Sequence, residues 1–287
     1  MTQGVGDAGS AIGTLFQLTT CSGGVFGATT ASDVDHFVPL QFWFCRNPGL
    51  ALPLIALQYH EVKLIVQFQN ATKGPTLSNS TGGGITLWAD YVYLDTDERR
   101  RFAQVSHEYL IEQLQYQSES ATNNVTLNLN HPVKELIWCG ANKSGAASVH
   151  SGIATPRDLR LAAGTRLRES DATTGGKITL KLNGHERFAP RHYCYFTRTQ
   201  THMHHPKNGG GAFADAISVY SFALEPEEHQ PSGTCNFSRI DNAQLKFDKV
   251  VGGHTESSAH VAGLHVYAVN YNVLRIMSGM GGLAYSN

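Results

Sequence analysis

The sequence predicts an all-β chain folded as a sandwich or jelly roll. Three observations carry this reading. Apolar and polar residues alternate with period two in many short runs, turn-forming Gly, Asn, Ser and Thr separate the runs, and helix-compatible stretches are few.

Taken in order, residues 37–44 read as a strand, followed by residues 62–68, where Val62, Leu64, Val66 and Phe68 share one face. Residues 85–94 read as the next. Val125, Leu127 and Leu129 alternate with Thr126, Asn128 and Asn130, and Ile178, Leu180 and Leu182 with Thr179, Lys181 and Asn183. Further strands are expected over residues 133–138, 192–197, 217–224 and 264–276. The breaks between them include the glycine-bearing stretches 81–84, 142–145, 174–176, 208–211 and 252–253. Trp43, Trp88 and Trp138 all fall inside these strands and read as core. One helix stands out: Asp95, Asp97 and Glu98 supply an N-cap and first-turn acids ahead of Arg99, Arg100 and Arg101. Propensity would carry it on to Leu114. A strand is equally compatible there, because Leu110, Glu112, Leu114 and Tyr116 share one face. Residues 140–176 and 200–212 read as long loops, and the first 32 residues are small and polar with few apolar anchors.

Composition narrows the function. Of 287 residues 41% are hydrophobic, enough for a real core, and 22 Lys and Arg against 23 Asp and Glu leave a net charge of −1. That balance argues against a general nucleic-acid binder. Charged residues make up only 16% of the chain, against about 25% in ordinary soluble domains, so much of the surface is expected to be covered by something. No apolar run approaches the roughly 18 residues of a membrane span. No positive region followed by an apolar stretch marks a secretory signal at the N-terminus. Cys21, Cys45, Cys139, Cys194 and Cys235 are odd in number and widely spaced, which favours free thiols in a reducing compartment over a disulfide framework.

The densest polar cluster is Thr201-His202-Met203-His204-His205, with His185 and His192 earlier. A cupin-like metal site would need a carboxylate a few residues after His-x-His, and none occurs before Asp215, so no metal is expected. Arg99, Arg100 and Arg101 could grip phosphate, yet the acids beside them favour a neutralised surface or an intersubunit ion pair. Gly-x-Ser-x-Gly, the phosphate-binding glycine loop and His-Glu-x-x-His are all missing, so the residues point to no catalysis and no cofactor. Asn70, Asn79, Asn124, Asn142 and Asn236 match Asn-x-Ser/Thr and are candidate glycosylation sites.

The most specific signal lies in long segments that no catalytic chemistry explains. These are residues 42–62, with Arg46-Asn47-Pro48-Gly49-Leu50-Ala51-Leu52-Pro53 at their centre, and residues 90–103, with Tyr93-Leu94-Asp95-Thr96-Asp97-Glu98-Arg99-Arg100-Arg101-Phe102. Residues 107–113, 222–243 and 267–276 continue the pattern. Together they resemble the major capsid protein of nucleocytoplasmic large DNA viruses over roughly residues 37–287. The resemblance implies a structural, non-enzymatic virion protein. Its subunits would be viral jelly rolls standing upright in homotrimeric, pseudo-hexagonal capsomers of an icosahedral shell. Neighbouring capsomers and minor capsid proteins would be its partners, with no direct nucleic-acid contact and with assembly in the host cytoplasm. It also implies a short helix over residues 95–104 and a strand over residues 108–117. Family members carry two successive rolls. Residues 1–52 are therefore expected to be a remnant of the first roll with its linker, and residues 53–287 the second roll. The competing class is a carbohydrate-binding β-sandwich displayed on a virion, which exposed aromatic side chains would support.

Overall fold

In the computed structural model the described residues are 40–66, 86–120, 124–142, 177–205, 217–247 and 261–285. The chain divides into two units, Met1–Leu50 and Ala51–Asn287. In the first, the expected strand over residues 37–44 gives way to a 3-10 turn at Trp43–Cys45, and residues 37–39 lie outside the described residues. No strand is formed over this stretch among the described residues. The chain bonds to itself instead, Cys45 N donating to Phe42 O at 3.0 Å, while the Phe42 and Phe44 rings stack at 5.0 Å. A second 3-10 turn, Pro48–Leu50, follows, with Asn47 Oδ1 accepting from Gly49 N at 2.9 Å.

The second unit is a two-sheet antiparallel sandwich, built after one helix. That helix, α1 (Thr96–Gln104), starts at the acids that predicted it. Asp95 caps it, Thr96 N donates to Asp95 Oδ1 at 2.7 Å, and Glu98 closes a reciprocal capping box. It stops before β1 (His107–Ser120), so the segment compatible with either state is a strand here. Next come β2 (Asn124–Thr126), β3 (Pro132–Asn142), β4 (Lys177–Leu182), β5 (His185–Glu186) and β6 (Arg191–His192). After a helical stretch follow β7 (Ser218–Ser221), β8 (Cys235–Asn236), β9 (Ala243–Phe247), β10 (Val261–Met277) and β11 (Met280–Leu283). One sheet runs β1-β10-β3-β7, with β11 on β10 and β8 on β3. The other runs β2-β9-β4-β5, with β6 on β4.

Between the sheets, Leu136 and Trp138 of β3 and Leu264, Val266 and Ala268 of β10 meet Val125, Ile178, Leu180, Leu245 and Phe247 from the facing sheet. Period-two burial follows directly from the pleat: along residues 124–130, Val125, Leu127 and Leu129 are buried while the four residues around and between them are exposed. The open edge of the second sheet, at β2 and the residues after it, is closed by side chains from β1. Gln115 Nε2 donates to Asn130 O at 2.6 Å and Gln115 Oε1 accepts from Asn130 N at 2.9 Å. Gln117 donates to Thr126 O and accepts from Asn128 N at 2.6 and 2.9 Å. These two amides act as a strand partner for residues 126–130, satisfying backbone groups that would otherwise face a sheet edge.

Two glycine turns fix the hairpins. Asn183 and Gly184, both at positive φ (51° and 82°), join β4 to β5, and Ser278 and Gly279 (52° and 80°) join β10 to β11. A Cβ on Gly279 would sit 2.5 Å from Tyr59 Cδ2, so a side chain there would have to displace the Tyr59 ring as well as adopt a strained positive φ.

Three expected strands differ. Residues 193–204 are helical: a π-turn at Tyr195–Thr199 runs into α2 (Gln200–His204). Tyr193, Phe196, Thr197 and Gln200 are the buried positions, a helical i, i+3, i+4, i+7 spacing that sits beside an accidental alternation. The histidine cluster thus starts on a helix and not in a loop. Residues 62–66 and 86–94 contain no ladder among the described residues, and Ile65 (88% exposed), Trp88 (85%) and Tyr93 (92%) face solvent. Of the expected tryptophan core only Trp138 is fully buried. A strand needs a neighbouring backbone as well as a pattern, and among the described residues none pairs with these two segments.

Candidate functional site

Two features concentrate chemistry in the second unit: bare apolar segments, and a cluster of buried charge. The segments come first. In residues 62–66 and 86–93 every residue is exposed, so among the described residues nothing covers either alternate face. That differs from a sugar-binding platform, in which aromatic rings project from one side of a supported sheet. Exposed Trp88, Tyr91 and Tyr93 here belong to a segment that, among the described residues, has neither a paired strand nor a covered face.

The buried cluster forms where β1, β3, α2 and the turn after β7 meet. Lys134, 1% exposed, lies with Nζ 2.6 Å from Glu112 Oε1 and 2.6 Å from the Pro226 carbonyl oxygen, to which it donates. It also stands 5.5 Å from the centre of the Tyr271 ring. An amine this deep is tolerated because a carboxylate, a carbonyl and a ring face replace its water. The next residue, Glu135, points Oε2 to within 3.1 Å of His205 Nε2, and His205 Nδ1 is 3.1 Å from Glu227 Oε1. Burial pulls the His205 pKa down, and pairing with Glu135 and then Glu227 outweighs it, leaving the imidazole more basic than usual. His204 Nδ1 lies 2.9 Å from Leu224 O, and Gln200 Oε1 accepts from Ser221 N at 3.1 Å, fastening α2 to β7 and the turn after it. Nothing in this arrangement offers a nucleophile beside a base at an open cleft. Its work is to join four segments.

The residues singled out from sequence do not converge. Asn70 and Asn79 lie outside the described residues, as does the side chain of Asn142 at the end of β3. Asn124 is exposed on β2, and Asn236 is exposed on β8, where its Oδ1 accepts from Ser238 N at 3.1 Å and caps the turn Phe237–Arg239. Arg99, Arg100 and Arg101 are exposed on α1. His185 and His192 sit on β5 and β6, in the other sheet from β3, and no three metal-ligating side chains converge among the described residues. Cys45, Cys194 and Cys235 are free thiols. Sequence reasoning missed Glu112, Lys134, Glu135 and Glu227. The available signal was the adjacent Lys134-Glu135 pair inside the apolar run of residues 133–138.

Comparison with known proteins decides the family. A profile described as large eukaryotic DNA virus major capsid protein matches residues 98–282, and one described as major capsid protein N-terminus matches residues 27–95. The chain belongs to the major capsid protein family of large eukaryotic DNA viruses. Within this capsid family it is 50% identical over 281 residues to the major capsid protein of Pyramimonas orientalis virus, covering 91% of this chain and 63% of that one. It is 43% identical to that of Paramecium bursaria Chlorella virus 1, covering 88% of this chain and 66% of the relative. The crystal structure of PBCV-1 VP54 superposes with a TM-score of 0.62 at 39% identity, over 87% of this chain and 70% of that one. The sandwich is therefore a capsid jelly roll, in a chain spanning slightly under two thirds of those two curated relatives. The family is a structural one. No helix among the described residues is long and apolar enough to cross a membrane.

Proposed function

We propose that this chain is a shell-forming virion protein, a major capsid protein that works as homotrimeric, pseudo-hexagonal capsomers of an icosahedral particle. The observation that carries the reading is the pair of apolar segments, residues 62–66 and 86–93, with every residue exposed and no face covered by other described residues. Burying one such side chain is worth about 1.5–3 kcal/mol, so several together give a strong drive toward association. The low charged share suits a subunit enclosed by neighbours. Neighbouring capsomers and minor capsid proteins are its partners in this reading, and assembly takes place in the host cytoplasm. The role is mechanical and needs no catalytic residue or cofactor. The two family profiles meet at residues 95–98, which supports a roll boundary at the N-cap of α1 in preference to residue 52. Quantitative mass spectrometry of purified particles tests the reading: the chain should rank among the most abundant virion proteins and label from outside the particle. Its absence from purified particles would end the proposal.

A further inference from the structure

One imidazole in the buried cluster joins parts of the chain that are far apart in sequence. His205 ends α2 with its side chain 15% exposed, and each ring nitrogen faces a different carboxylate at 3.1 Å, Glu135 on β3 and Glu227 in the turn after β7. Glu135 Oε2 and His205 Nε2 are both buried without an aligned hydrogen bond, so the 3.1 Å ion pair between them is the compensation each has. A doubly protonated imidazole carries two N–H groups and can satisfy both carboxylates at once. A neutral one carries a single N–H, and its other nitrogen turns a lone pair toward a carboxylate.

We propose that His205 is a pH-operated clasp: protonated, it fastens α2 and the turn at residues 222–230 to β3, and on losing a proton it releases one of its two carboxylates.

Other titratable and charged groups sit on the neighbouring elements among the described residues. Lys134, beside Glu135, is engaged with Glu112 and the Pro226 carbonyl. β7 contributes Tyr220, which burial holds in its neutral form. The helical stretch before α2 carries Tyr195 and Arg198, α2 itself adds His202 and His204, and the turn adds Glu225, Glu228 and His229. Glu135 and Glu227 are the charged groups that raise the His205 pKa. Because that pKa is raised, the clasp is closed below about pH 6.5, the ordinary histidine value, and opens as pH climbs through the higher folded value.

Hydrogen exchange on the whole chain at about pH 6 and about pH 9, corrected for intrinsic rates, reads the clasp directly. Peptides covering residues 222–232 should lose about tenfold in protection at the higher pH, the order expected for losing one charge-assisted hydrogen bond, while β10 stays protected. His205→Gln should show the lower protection at both pH values. Glu227→Gln, which keeps the Glu135 pair, should lose most of the pH response. Equal protection of residues 222–232 at the two pH values in the unaltered chain would overturn the proposal. So would a full pH response surviving in either variant.

Discussion

Replacing Lys134 with Met tests the buried charge cluster most sharply. The substitution keeps the length and most of the volume of the side chain but removes its charge and its N–H groups. Glu112, whose side chain is 6% exposed, then loses its cationic partner at 2.6 Å, and the Pro226 carbonyl loses a donor at 2.6 Å. Removing one partner of a buried ion pair costs about 3–5 kcal/mol, because the other charge stays buried. A buried carbonyl deprived of its hydrogen bond adds about 1–3 kcal/mol, partly overlapping with the first figure. A loss of about 4 kcal/mol is expected, a large share of the 5–15 kcal/mol that holds a typical domain together. Urea unfolding followed by circular dichroism gives the number. The double substitution Lys134→Met with Glu112→Leu should recover much of the loss, since it leaves no buried carboxylate without its cation. A single Lys134→Met within about 1 kcal/mol of the original chain, or a double variant no more stable than the single, would refute the reasoning.

Further expectations follow from the same structure. Asp95→Ala removes the α1 cap and half of its capping box, and should cost about 1 kcal/mol in unfolding experiments. Changing Gln115 and Gln117 together to Ala strips four hydrogen bonds from residues 126–130, and amide exchange there should accelerate before the β10 amides respond. Stability should peak near the ordinary histidine pKa. The raised His205 loses its contribution as pH rises through its folded value, and the lowered His265, held neutral by burial, loses its own as pH falls below about 6.5. Unfolding midpoints across pH should show both arms, and His205→Gln should flatten the upper one.

The readable parts of the fold were those in which local chemistry and tertiary packing agree. Asp95 and Glu98 announce the start of α1 because capping is a short-range event. Val125, Leu127 and Leu129 announce their strand face because the facing sheet covers it. Residues 108–114 were compatible with both helix and strand, and their pairing along β10, in a ladder that starts at His107↔Ile276, decides for strand. The helical stretch at residues 193–204 was hidden because Tyr193, Tyr195 and Thr197 also alternate. Only burial of Phe196 and Gln200 reveals the helical period. Residues 62–66 and 86–94 carry a strand pattern without a strand, since pattern specifies faces and says nothing of the partner backbone. The charge cluster was the least legible part: Glu112, Glu135, His205 and Glu227 are brought together by topology alone, from positions up to 115 residues apart.

The central claim is that this chain covers its bare apolar segments by associating with copies of itself. Native mass spectrometry of the whole chain at low micromolar concentration measures that directly. The account predicts a dominant species at three times the 31.2 kDa chain mass, with solvent labelling of Trp88 and Tyr93 falling as that species forms. A soluble, folded monomer at the same concentration, with both aromatic residues fully labelled, would contradict it.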